Sequence, residues 1–250
     1  MAPVDGLKSV VAETDQESAE PQPFGAADLE ALLAKLSAPG GVTVAELQAL
    51  LTDLASHSLS DEDLAALREG KGSWKKLAEE IIPVAAYLSA TAAPQGRVRF
   101  PLDSEPPDAW LLDENGKPGA GIEVTGALAR ARAEIAKSLR EHKPVPGFLG
   151  LQDNASSAAF AAARERGRIL HSRKHIDETL IGGIVASLEK KAKAQLPDHT
   201  LLVVAPLGSS PNLDPDEVRE ALAGAVGNLS FASVVLIDPR RTAPIIVPIK

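Results

Sequence analysis

One turn flanked by two strand-like stretches constrains this chain more than any other feature. Ala109-Trp110-Leu111-Leu112 and Gly121-Ile122-Glu123-Val124-Thr125 lie on either side of the turn-rich Glu114-Asn115-Gly116-Lys117-Pro118-Gly119. Asn-Gly between apolar stretches is the strongest short-range hairpin signal, because a type I′ turn needs positive φ at both central residues. Strands are therefore expected over residues 108–113 and 120–127. A two-residue turn at Asn115-Gly116 sets Asp108 directly opposite Glu123 on one face of the hairpin, with their Cβ atoms about 5 Å apart. Thr125, two residues beyond Glu123, shares that face.

The rest of the chain supplies a setting for this hairpin. Residues 1–24 read as a disordered acidic tail, with Glu13, Asp15, Glu17 and Glu20 set among Ser, Gln and Pro. Residues 25–70 read as a small all-helical module. Leu29, Leu32, Leu33 and Leu36 fall at helical spacing, Thr43 and Glu46 form a capping box, and Ser60 precedes the carboxylates Asp61, Glu62 and Asp63. A longer helix is expected from about Ser73, perturbed by Pro83. Then the period changes: Val98, Phe100 and Leu102 alternate with Arg97, Arg99 and Pro101, as a strand does. Helices follow over 127–142 and 156–170. Another runs on from Ile176, with Leu180, Ile184 and Leu188 on one stripe and Lys190, Lys191 and Lys193 at its end. Strands are expected at 200–205, 233–237 and 245–249, with a helix opening at Asp214. Residues 71–250 thus read as one α/β domain, a mixed β-sheet flanked by helices.

Composition limits the chemistry. The eight aromatic residues cannot build a core in a chain that is 44% hydrophobic, so that core must be aliphatic. The absence of cysteine excludes disulfides, thiolate zinc sites and cysteine nucleophiles. No run of 18 apolar residues is present, and the N-terminus lacks a secretory pattern, so a cytoplasmic protein with no membrane partner is expected. The formal net charge of −8 divides unevenly: residues 1–125 carry −12, residues 126–194 carry +6 and residues 195–250 carry −2. Solvated helix faces account for such a basic stretch most simply; a surface that tracks a nucleic-acid backbone is the functional alternative.

Two carboxylates on adjacent strands repel, which raises the pKa of one unless a cation sits between them. A hard divalent ion with oxygen ligands suits that position, since Mg²⁺ takes one or two carboxylates and keeps several waters. The plain alternative is a turn Asp after Pro107 and a solvent-facing Glu. Against it, Glu disfavours strand interiors, yet here it sits between the β-branched Ile122 and Val124.

Pro107-Asp108, a hairpin, then Glu123-Val124-Thr125 resembles the signature of the PD-(D/E)XK nuclease superfamily, the restriction-endonuclease-like fold. The order of elements over residues 73–210 is similar to that family's core of a helix, three antiparallel strands, a helix and a strand. The resemblance implies that Asp108 and Glu123 bind Mg²⁺ or Mn²⁺, with Glu79 or Glu80 from the first helix adding a ligand. It also marks a departure at Thr125, where the family usually has a lysine beside the attacking water. In some members a basic residue on a nearby helix takes that part, and Arg130, Lys137 and Lys191 are the candidates here. The activity implied is metal-dependent hydrolysis of DNA phosphodiesters. Duplex DNA is the expected partner, because few aromatics are available as stacking platforms for single strands. The alternative is a catalytically inactive nuclease fold that serves as a DNA-binding or protein-interaction module, its helical segment recruiting a protein partner or a second copy. A third reading, an α/β protein acting on a small molecule, owes nothing to the resemblance. Other motifs carry less. The glycines from Gly116 to Gly121 lack the ending of a phosphate-binding loop, and His171 with His175 has no third ligand in view.

Overall fold

The computed structural model describes residues 23–250 apart from 94, 104, 129–137, 139–141, 144–150, 152–154, 166–171 and 240–242. The expected tail falls outside these residues except at its end, where Phe24 bridges to Leu59. Helices α1 (Ala26–Ser37), α2 (Val44–Ser56) and α3 (Asp61–Glu69) form where the leucine spacing and caps place them. The capping box closes as read: the Glu46 N–H donates to Thr43 Oγ1 at 3.1 Å, and the Thr43 N–H donates to Glu46 Oε2 at 2.8 Å. Ser60 Oγ accepts from the Asp63 N–H at 3.0 Å, and Gly70 closes α3 in the left-handed region at φ 64°.

The helix expected from Ser73 is a composite. α4 (Gly72–Lys76) runs into a π-helical turn (Leu77–Ile81), and α5 (Ile82–Thr91) continues beyond it. Pro83, at the start of α5, has no N–H to return to the carbonyl of Glu79, and the widened turn lies directly before it. Glu79 and Glu80 occupy that widened turn.

Among the described residues the sheet has seven strands in sequential order: β1 (Val42–Thr43), β2 (Arg97–Arg99), β3 (Ala109–Leu112), β4 (Pro118–Gly126), β5 (Thr200–Val204), β6 (Ser233–Asp238) and β7 (Ile245–Pro248). It is mixed and mostly antiparallel, the exceptions being β4 with β5 and β5 with β6. α6 (Ser157–Glu165) and α7 (Arg173–Lys191) lie between β4 and β5, and α8 (Pro215–Gly227) lies between β5 and β6. Among the described residues, no helix is long and apolar enough to cross a membrane.

Strand alternation sorts the apolar residues into two cores, one on each face. Val98, Ala109, Ile122, Leu202 and Val235 pack with leucines of α1 and α2 and with Leu77, Ile81 and Leu88. The helical segment 25–70 therefore joins the sheet through a shared core. On the other face, Leu201, Val203, Val234 and Leu236 pack with Leu180, Ile184 and Leu188 of α7 and with Val218 and Leu222 of α8.

The hairpin differs from expectation at its tip and agrees at its base. The Gly116 N–H donates to the Asp113 carbonyl at 3.0 Å and the Asp113 N–H to the Lys117 carbonyl at 2.9 Å, so the loop has three residues, with Gly116 at φ 76°. One left-handed residue suffices for that loop, where a type I′ turn needs two. The longer loop displaces the pairing, and a bulge between Trp110 and Leu112, with Gly119 and Ala120 both opposing Leu111, restores it. Ala109 pairs with Ile122, and continuing that register sets Asp108 opposite Glu123.

Candidate functional site

β4 runs on through Gly126, past Ile122, the residue that pairs with the first residue of β3. The backbone there needs another partner, and Asp108 supplies one: its Oδ2 accepts the N–H of Val124 at 2.7 Å. This bond turns the Asp108 carboxyl toward the end of β4. A polar cleft of about 470 Å³ opens at this point, lined by Glu79 and Glu80 of the π turn, Asp108, Glu123, Thr125 and Lys75 among others. The carboxylates proposed from sequence are thus brought together, and Thr125 stands with them.

α7 completes the site. Ser187 Oγ donates to the carbonyl of Gly126 at 2.6 Å, and Gly183 packs so closely on the segment after β4 that a Cβ there would come within 2.4 Å of Leu128. One helical turn beyond Ser187, Lys191 Nζ donates to Glu123 Oε1 at 2.6 Å. Of the three basic candidates, Lys191 reaches the acidic residues, while Arg130 and Lys137 lie outside the described residues, as does His171.

The electrostatics follow from burial and crowding. Glu123 is 7% exposed, and its Oε2 is buried with no hydrogen-bond partner among the described residues. Burial and then the neighbouring Glu123 charge push the Asp108 carboxyl up to about 6, against the Val124 N–H and the Lys191 and Lys76 charges, which lower it. Burial and then the Asp108 charge push Glu80 up to about 7. Glu79, Glu80, Asp108 and Glu123 thus share one cleft with the Lys191 ammonium in contact and Lys75 on its wall, so carboxylates outnumber cations there, an imbalance that a divalent cation would offset. Among the described residues, no three carboxylate or imidazole side chains stand together as a ligand set. The donor set fits a hard ion held by Asp108 and Glu123, with Glu80 in the same cleft, because such ions accept two protein carboxylates and fill the remaining positions with water. The orphaned Glu123 Oε2 is the atom that such an ion would satisfy.

Sequence reasoning missed two lysines of α4. Lys75 lines the cleft, and Lys76 Nζ donates to the carbonyl of Asp103 at 2.8 Å and to that of Leu102, holding the loop that leads to Asp108. Their proximity to the hairpin depends on how α4 packs, and no spacing in the sequence encodes it. The chain matches no family model, no curated protein and no solved structure.

Proposed function

We propose that this chain is a Mg²⁺- or Mn²⁺-dependent nuclease-like protein that hydrolyses phosphodiester bonds of DNA on a restriction-endonuclease-like sheet. The observation that carries the reading is the contact of Lys191 with Glu123 beside Asp108, which supplies from α7 the cation that Thr125 cannot. The antiparallel β2–β3–β4 meander followed by a helix and a parallel β5 supports it at the level of fold.

Asp108 and Glu123 would hold the ion, and Glu80 would add charge in the same cleft. When bound, the ion would polarise a phosphate oxygen and lower the pKa of a coordinated water. The protein's own groups do the remaining work. The Val124 N–H fixes the rotamer of Asp108, and the Ser187 and Gly183 contacts fix α7 against the end of β4. Lys191 is thereby held where negative charge accumulates during phosphoryl transfer, and a preorganised cation there stabilises the transition state more than the ground state.

The experiment is cleavage of plasmid, short duplex and single-stranded DNA with Mg²⁺ or Mn²⁺. The expected result is metal-dependent cleavage that is lost in Asp108→Asn and Glu123→Gln and reduced about a hundredfold or more in Lys191→Met, the order seen when one charge-stabilising group is removed. A second reading, an inactive nuclease fold that binds DNA, is favoured by one feature: Lys191 is already engaged by Glu123. Salt-sensitive DNA binding without cleavage in any metal would select that reading, and neither binding nor cleavage would reject both.

A further inference from the structure

The sheet face that carries the carboxylates also carries an aromatic row one strand repeat away. Arg99 pairs with Trp110 and Trp110 with Gly121, and Ile122 pairs with Thr200, so the same register sets Gly121 beside His199. Side chains two residues apart on a strand share a face and stand about 7 Å apart, which relates Trp110 to Asp108 and Gly121 to Glu123. Gly121 is required here: a Cβ would come within 2.3 Å of the His199 ring and 2.5 Å of Pro107. Its missing side chain lets the His199 ring settle over β4 and meet Trp110 edge to face, with ring centroids 5.3 Å apart. Trp110 nevertheless stays half-buried, whereas the chain's other tryptophan, Trp74, is 5% exposed in the core.

A large aromatic ring supported from one side and left partly open, on the face of a phosphodiester site, is what an unpaired base can stack against. We infer that Trp110, supported by His199 over Gly121, is a base-stacking position for the nucleotide next to the cleavage point, so that the substrate presents an unpaired base there, as a single strand or a frayed duplex end does. This inference rests on the nuclease reading and narrows its substrate class. It replaces the duplex expected from the scarcity of aromatics, because one ring is enough when it stands beside the reacting phosphate.

The test uses the full chain carrying Asp108→Asn, which keeps an acceptor for the Val124 N–H and does not cut. Two probes are compared, a single-stranded oligonucleotide of about a dozen nucleotides and the same strand made abasic, so that phosphates are equal and only bases differ. The expected result is about tenfold or greater preference for the intact strand, lost in Trp110→Leu and largely retained in Trp110→Phe, with the emission of Trp110 quenched on binding. The quenching, read on the chain with its indole intact, stands even where Trp110→Leu fails to fold. An unchanged preference in a folded Trp110→Leu protein, or no quenching on binding, overturns the stacking role and leaves the nuclease reading in place. No binding of either strand, together with no cleavage by the unsubstituted chain, overturns both.

Discussion

Lys191 and Glu123 form the pair on which the site's internal balance turns. Glu123 is almost fully buried and keeps one oxygen on Lys191 and one without a partner, so removal of the ammonium leaves a buried charge uncompensated. Lys191→Met should destabilise the metal-free protein by about 2 kcal/mol, below the range for fully buried pairs because Lys191 is partly exposed. The double variant Lys191→Met with Glu123→Gln should recover most of that loss in urea denaturation; a double variant less stable than the single one contradicts the pairing. Asp108 and Glu80 act in the opposite sense. Each has a folded pKa above its ordinary value, about 6 against 3.8 and about 7 against 4.5. The fold therefore binds more protons than the unfolded chain across those windows, and stability present below them is lost as pH rises through the folded values. The metal-free protein should lose about 2 kcal/mol relative to Asp108→Asn between about pH 4 and about pH 7. Urea midpoints of the two proteins, measured across that range, check the sign.

At the scale of elements, the hairpin shows what a turn signal reveals and what it hides. Asn115-Gly116 between two apolar stretches locates both strands, and the register at their base sets Asp108 opposite Glu123, but through two features that offset each other. The loop is one residue longer than Asn115-Gly116 alone implies, and Gly119 with Ala120 absorbs the difference in a bulge. A bulge leaves little trace in a sequence, since its extra residue is solvent-exposed and free in type. Deleting Ala120 should then regularise the ladder and leave the base register intact, with stability within about 1 kcal/mol of the parent and metal binding retained. Loss of metal binding in a folded deletion variant would show that the bulge itself orients Glu123. The π turn was hidden in the same way. Pro83 announced a perturbation, but its outcome, a widened turn that carries Glu79 and Glu80 into the cleft, depended on packing Leu77 and Ile81 into the core. α7 was the most legible helix, because its Leu180, Ile184 and Leu188 stripe and terminal lysines state its buried face and its end; that Lys191 lands on Glu123 follows from Ser187 and Gly183 docking on β4, which no local pattern encodes.

At the scale of the whole molecule, the site exists because two cores on opposite faces of one sheet fix elements distant in sequence. α4 and the π turn reach the cleft from the face that also holds α1 and α2, and α7 reaches it from the other through Lys191. The end of β4, extending past the start of β3, is where they meet. A divalent cation bound there would join both halves, so its affinity would report the whole arrangement. The most direct measurement is calorimetric titration of Mn²⁺ into the unsubstituted chain and into Asp108→Asn and Glu123→Gln near neutral pH. One site is expected in the parent, abolished in both variants, with a rise in thermal stability on metal addition in the parent alone. Binding that survives in both variants, or no binding in the parent, would contradict it.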